Sequence, residues 1–246
     1  DPAPMEMIET IIRFKPREQW RPGMTPEKLV EELDATVRLP GLANLWIPPI
    51  RARIDMLSTG IRTPIGIKVF GSNLTEMERV AREIEAAVKQ VPGTSSAYAE
   101  RLTGGRYLDI DIDRARAARH GLNIADLQSL VTAAIGGENI GETVEGRRRF
   151  PIAVRYPREW RDTPARLREL PLLTAGGADL RLGDVATITL AEGPPMIRSE
   201  NARLSGWVYV DTRGRDLASV VRELRDAVAT GVTLPPGYSV AYAGQF

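Results

Sequence analysis

Hydrophobic and polar positions alternate from Met5 to Phe14: Ile8, Ile12 and Phe14 fall on one face of an extended chain and Met5, Met7 and Glu9 on the other, which predicts a strand. Thr25-Pro26 then opens a helix with proline in its first turn. Leu29, Val30, Leu33 and Val37 form its apolar stripe, and Pro40-Gly41 ends it. A second extended segment is expected over residues 43–57, so the first block reads strand, helix, strand.

Ile65 to Phe70 reads as a further strand. Asn73 and Glu76 have the spacing of a capping box, for a helix whose stripe is Leu74, Met77, Ala81, Ile84 and Val88 and which Pro92-Gly93 terminates. The segment Pro92-Gly93-Thr94-Ser95-Ser96-Ala97-Tyr98-Ala99 has a counterpart in Pro236-Gly237-Tyr238-Ser239-Val240-Ala241-Tyr242-Ala243, with six of eight positions identical. The counterpart also follows a strand (Leu204 to Asp211) and a helix (Asp216 to Val228). Two copies of one βαβ unit, each giving half of a ferredoxin-like sheet with two helices on one face, account for this pattern. Residues 64–106 and 203–246 should therefore share one sheet.

Between the copies, Leu108, Ile110 and Ile112 alternate as in a strand, and a short helix ends at His120-Gly121. A second helix starts at Ile124, with Leu127, Leu130, Val131 and Ile135 on one side and Gly136-Gly137 closing it. Glu145-Gly146 reads as a hairpin turn, and Leu180 to Leu190 as more strand. The fold class expected is α+β, with ferredoxin-like split βαβ subdomains and an inserted α+β module.

Composition narrows the function. The chain has 246 residues, room for more than one core, and its 43% hydrophobic and 26% charged content is that of folded globular proteins. With 33 Lys and Arg against 32 Asp and Glu, no overall field draws in a polyanion, and no nucleic-acid partner is expected. The basic run Arg147-Arg148-Arg149 flanks the hairpin turn, is offset by Glu138, Glu142 and Glu145, and has no interleaved aromatic platform, so it reads as a solvated turn or a protein contact. No cysteine is present and His120 is the single histidine, which excludes thiolate nucleophiles, disulfides and structural zinc. His120 beside a glycine at a helix end meets the carbonyl dipole. Asp109 and Asp111 alternate with Ile110 and Ile112 and so form a solvated strand face. Gly136-Gly137-Glu138-Asn139-Ile140-Gly141 does not follow a strand, and no other catalytic or nucleotide motif occurs, so neither an enzyme nor a resident cofactor is expected. No run approaches the ~18 apolar residues of a spanning helix. The start at Asp1 and the stop just after a strand-like run read as the ends of a piece of a longer chain.

The methionines remain. Met77 belongs to a helix stripe and reads as core, while Met24 and Met196 lie in connections without a pattern. Met5 and Met7 share with Glu9 the face away from the Ile8, Ile12 and Phe14 side, where a thioether has little packing purpose and a ligand role gains weight.

Four runs carry a resemblance: Asp1-Pro2-Ala3-Pro4-Met5-Glu6-Met7-Ile8-Glu9, Leu39-Pro40-Gly41-Leu42-Ala43-Asn44-Leu45-Trp46, Arg53-Ile54-Asp55-Met56-Leu57-Ser58-Thr59-Gly60 and Gly141-Glu142-Thr143-Val144-Glu145-Gly146. They resemble the second large periplasmic loop of the heavy-metal branch of resistance-nodulation-division (RND) pumps, and within it the group exporting Cu(I) and Ag(I). The resemblance runs the whole length without gaps in its motifs. It implies that residues 1–63 are part of a first C-terminal pore subdomain whose N-terminal half lies outside this chain. Residues 64–106 and 203–246 would then be a second, split pore subdomain, and 107–202 a docking subdomain. It also implies that Met7 and Met56 are two of three methionine ligands for the transported ion, the third lying upstream of Asp1. Asp1, Glu9, Arg53 and Arg62 match polar residues lining or flanking that cleft, with Arg62 standing where one member of the family has lysine, and Met5 is not a ligand.

The same resemblance implies a periplasmic loop of a proton-driven inner-membrane pump of a Gram-negative bacterium, anchored by spans outside this stretch. Such pumps work as homotrimers with a periplasmic adaptor protein and an outer-membrane channel. The chemistry agrees, because Cu(I) and Ag(I) are soft cations that favour sulfur. A thioether binds without losing a proton and survives where a thiol could be oxidised. Two alternatives stay open: a pump fragment of the same branch for divalent metals, and a metal-independent docking module whose methionines pack.

Overall fold

The computed structural model describes residues 7–40, 42–173, 177 and 179–246. Thr25 caps helix α1 (Pro26–Thr36) by accepting from the Lys28 N–H at 3.3 Å. The Asp34 carboxylate on α1 accepts from the Trp46 indole at 2.7 Å and the Asn44 amide at 3.3 Å, which ties the following loop back to the helix. Helix α2 (Pro49–Thr59) comes next.

Two expectations fail in this block. Residues 7–16 form no regular element, so the strand over 5–14 is absent from its described part, and Met5 lies outside the described residues. Among the described residues no strand lies beside this segment to take its backbone groups, and a strand without a partner is not stable. The extended segment over 43–57 is also corrected, since its second half is α2. Pro49 at the first helical position is pre-set for the turn, Arg51 and Asp55 pair across one turn at 3.6 Å, and Gly60, with φ of 75°, ends the helix. Pro49 starts a helix inside the run expected to be extended.

Strand β1 (Ile65–Gly71), helix α3 (Leu74–Val88) and strand β2 (Thr94–Ala99) follow, with Asn73 capping α3 through the Glu76 N–H. The chain then runs through β3 (Gly105–Ile112), α4 (Arg114–Arg119) with His120 at its C-cap, α5 (Ile124–Val131) and the hairpin β4 (Glu138–Glu145) and β5 (Arg148–Val154). Arg149 of the basic run pairs with Glu142 across that hairpin at 3.2 Å. Next come α6 (Pro164–Arg168), β6 (Pro171–Leu173), β7 (Asp179–Arg181), α7 (Leu182–Val185) and β8 (Ala186–Gly193). The expected strand over 180–190 is thus broken by the single turn α7, which the Asp184 carboxylate starts by accepting the Arg181 N–H at 2.8 Å. The return path is β9 (Arg198–Glu200), β10 (Arg203–Thr212), α8 (Leu217–Gly231) and β11 (Ser239–Gly244).

These elements form two compact units: residues up to Gly105 with Pro194–Phe246, and Arg106–Gly193. Residues 194–202, expected with the insert, lie with the first unit, where β9 pairs with β10. The second unit closes around Leu127, Leu167, Leu182, Val185 and Ile188. In the first, the sheet order is β11-β1-β10-β2, and every neighbouring pair is antiparallel. This is the ferredoxin-like α+β arrangement. Ile65, Ile67 and Val69 of β1 and Val208 and Val210 of β10 pack against Met77, Ile84, Val220 and Leu224 of the two helices, and Met77 is fully buried. The repeated segments face opposite ways. Ala97 and Ala99 enter the core from β2, but Val240 and Tyr242 do so from β11. Ser96 pairs with Asp211 and Thr94 with Thr212, so Ser95 is an extra, unpaired residue that shifts the alternation by one.

Two carboxylates fasten α3 to the chain around β2. Glu78 accepts from the Thr103 N–H at 2.8 Å, the Thr103 hydroxyl at 2.7 Å and Arg82 at 2.6 Å, and Glu85 accepts from the Ala99 N–H at 2.9 Å and Lys89 at 2.5 Å. Burial pushes both carboxyls up. The Thr103 and Arg82 bonds at Glu78, and the Lys89 and Ala99 bonds at Glu85, outweigh it and hold both below the usual carboxylate range. A folded-state pKa below the unfolded one gives stability that is complete above about pH 4.3 and lost as pH falls through the lowered values. Glu78→Gln with Glu85→Gln should cost about 2 kcal/mol at pH 7. The same variant should flatten the acid loss, as read from urea midpoints between pH 3 and pH 7; an equally steep acid loss would remove these carboxylates from the account.

Candidate metal-binding site

The site is assembled at the C-terminal end of α2. Arg53 and Met56 lie one turn apart on that helix, with Arg53 exposed and Met56 half-buried. The Gly60 N–H donates to the Met56 carbonyl at 2.9 Å, so the chain leaves the helix directly beneath Met56. Thr59 Oγ1 donates to the Asp55 carbonyl at 2.8 Å and accepts the Ile61 N–H at 3.2 Å, which turns the chain toward β1. Ile61 is fully buried and rests on Gly66, whose missing side chain leaves the space it fills.

Gly66 belongs to the sheet face away from α3 and α8. On that face it pairs with Tyr209, and Lys68 pairs with Trp207. Arg62, one residue past Ile61, extends back over the irregular segment 7–16, and its guanidinium donates to Met7 Sδ at 3.4 Å. Met56 thus stands on the last turn of α2, and Arg62, in the connection that follows, reaches Met7. The Met7 side chain is 38% exposed. Glu9 is exposed, and among the described residues neither its side chain nor that of Arg53 makes a hydrogen bond or an ion pair. Asp1 lies outside the described residues.

The open sheet face beside this turn carries a polar cluster that the sequence reading missed. The Tyr209 hydroxyl donates to Glu100 at 2.7 Å, the Trp207 backbone N–H donates to the same carboxylate at 3.2 Å, and Arg198 pairs with it at 3.2 Å. The Trp207 ring lies 4.5 Å from the Arg198 guanidinium and 5.2 Å from Lys68 Nζ, and Lys68 pairs with Glu200 at 2.8 Å. Burial above all, then the Glu100 charge and hydrogen bond, hold the Tyr209 phenol far above its usual range, while Arg198 and Arg62 oppose them. The Arg62 charge is therefore felt at this cluster. Lys68 inside the otherwise apolar run Ile65-Gly66-Ile67-Lys68-Val69-Phe70 was the signal available in the sequence.

The sequence profile of the AcrB/AcrD/AcrF family matches residues 1–246. The chain belongs to the AcrB/AcrD/AcrF family. Over 246 residues it is 57% identical to the cation efflux system protein CusA of Escherichia coli (strain K12), covering 100% of this chain and 24% of that protein. It is 56% identical, with the same coverage, to the putative cation efflux system protein SilA of Salmonella typhimurium. The X-ray structure of a heavy metal efflux pump superposes with a TM-score of 0.81 at 30% identity, over 94% of this chain and 24% of that one. Within the AcrB/AcrD/AcrF family the chain is of the CusA/SilA type, and it spans 24% of the length of these relatives.

Proposed function

We propose that this chain is a periplasmic segment of a proton-driven inner-membrane pump that binds and exports Cu(I) or Ag(I) through a methionine site containing Met7 and Met56. The observation that supports it most is the turn after α2, which carries Met56 on the last helical turn and, through the Arg62 bond of 3.4 Å, gathers the partly exposed sulfur of Met7 from a segment with no regular structure of its own. Two neutral thioethers suit a soft monovalent ion and are poor ligands for Zn(II) or Co(II). Neutral, weak ligands also suit transport, because the ion must leave again. In this reading residues 1–63 belong to a first C-terminal pore subdomain, 64–106 with 203–246 form a second that also takes in 194–202, and the remaining insert, 107–193, docks a homotrimer to a periplasmic adaptor protein and an outer-membrane channel. Among the described residues no helix is long and apolar enough to cross a membrane, so the anchoring spans would lie outside this stretch.

Titration of the chain with Ag(I) tests the reading. One equivalent should bind weakly, Zn(II) should not compete, and a longer chain that restores the upstream segment should bind substantially more tightly. Absence of Ag(I) binding by the longer chain, or equal uptake of Zn(II), would overturn it.

A further inference from the structure

We infer that Arg62 guards the Met7 sulfur: its guanidinium competes with the incoming cation for the thioether, and its charge keeps the bound ion releasable. This rests on the methionine-site reading above. A guanidinium carries five N–H donors and a thioether is a weak acceptor, so the pair is mismatched. Among the described residues the Arg62 side chain is half-buried, has no carboxylate within ion-pair distance, and makes one hydrogen bond, to Met7 Sδ at 3.4 Å. Glu100, the carboxylate at the neighbouring cluster, is already engaged by Tyr209, the Trp207 N–H and Arg198.

The backbone on both sides of Arg62 is fixed. Ile61 is fully buried and bonded through its N–H to Thr59, and the Thr63 hydroxyl, on a residue 3% exposed, donates to the Ile65 carbonyl at 2.7 Å. The Arg62 side chain itself is held, among the described residues, by the Met7 contact alone. A cation binding at Met7 must displace a donor held by a weak bond, which is a low barrier to entry. Once bound, the cation sits beside a permanent positive charge that neutral thioethers do not offset, and this repulsion favours release. Arginine does not deprotonate in proteins, so the guard works at every periplasmic pH.

The test uses the full-length pump, with Ag(I) affinity and release rate measured by chelator competition in nitrate salts. Arg62→Gln should bind Ag(I) about tenfold more tightly, equivalent to roughly 1.4 kcal/mol, with release slowed to match. Arg62→Lys, which keeps the charge, should stay within a factor of about three of the parent. Raising nitrate from about 20 mM to about 500 mM should tighten binding by the parent, because screening weakens the repulsion, and leave Arg62→Gln unchanged. A role confined to folding would not produce that salt dependence. If Arg62→Gln binds no more tightly while Met7→Ile loses binding, the guard is wrong and the methionine site stands. If Met7→Ile binds as the parent does, both fall. Should Arg62→Gln not fold, the parent decides alone, and affinity that stays level or weakens with salt overturns the guard.

Discussion

Met7→Ile and Met56→Ile are each expected to abolish Cu(I) and Ag(I) resistance conferred by the full-length pump while leaving the amount of folded pump unchanged. In the proposed site each methionine supplies one sulfur to the ion, so the loss of affinity should exceed the 10–100-fold or so that outer-shell changes produce. The folded protein tolerates both exchanges because neither residue is core. Met7 is partly exposed in an irregular segment, and Met56 is half-buried on a helix that contains no buried residue. An apolar side chain of similar volume there should change stability by less than about 1.5 kcal/mol. Met77→Ile supplies the contrast: its side chain is fully buried between sheet and helices, so that variant should lose some stability and keep resistance in proportion to the pump that folds. Resistance is scored beside pump abundance in membranes. Normal export of both metals by either site variant would show that these thioethers do not carry the ion.

The sheet was legible because its signals are local and redundant. Ile65, Ile67 and Val69 alternate, Asn73 and Glu76 cap α3, and the repeated Pro-Gly-x-Ser-x-Ala-Tyr-Ala segments mark two equivalent strands. What the repeat could not show is which way its tyrosines face. One unpaired residue, Ser95, puts Tyr98 on the face away from the core while Tyr242 packs into it, and both segments read alike. The first block was misread for a different reason. The alternation over residues 5–14 is real, but a strand needs a neighbour, and pattern alone does not say whether one is present. The segment 43–57 was expected to be extended throughout, but proline is a favoured first residue of a helix, and the run after Pro49 has good helix formers.

Met7 was singled out by strand-face logic that the structure does not support, and Met56 entered through family resemblance alone. The Arg62 bond to Met7 depends on the turn after α2, where the chemistry of Thr59, Gly60 and Ile61 is structural and no sequence signature announces a ligand. The Tyr209 and Trp207 cluster was hidden for the same reason: Glu100, Arg198 and Glu200 come from segments about a hundred residues apart and meet only through the split sheet.

Gly66→Val is expected to destabilise the first unit by about 3 kcal/mol and to disturb Ag(I) binding although Gly66 touches neither sulfur. Valine suits a central strand, so local propensity favours the exchange. Space decides against it. A side chain at Gly66 would overlap Ile61, with its Cβ only 2.9 Å from Ile61 Cγ2, and Ile61 is fully buried and has no solvent to retreat into. Ile61 must then shift with its backbone, which the Thr59 hydroxyl bond at 3.2 Å otherwise holds, and Arg62 is the next residue. A displaced Arg62 leaves Met7 Sδ, so a packing fault on the sheet is transmitted to the sulfur within two residues. Trimming the obstacle should reverse part of the effect: Ile61→Ala combined with Gly66→Val should be more stable than the sum of the two single losses predicts, by about 1–2 kcal/mol, as neighbours sharing one space are not additive. Urea unfolding of the four proteins of this cycle gives the coupling. A Gly66→Val chain as stable as the parent would mean that Ile61 does not rest on this glycine, and additive losses would mean that the two residues do not share the space that positions Arg62.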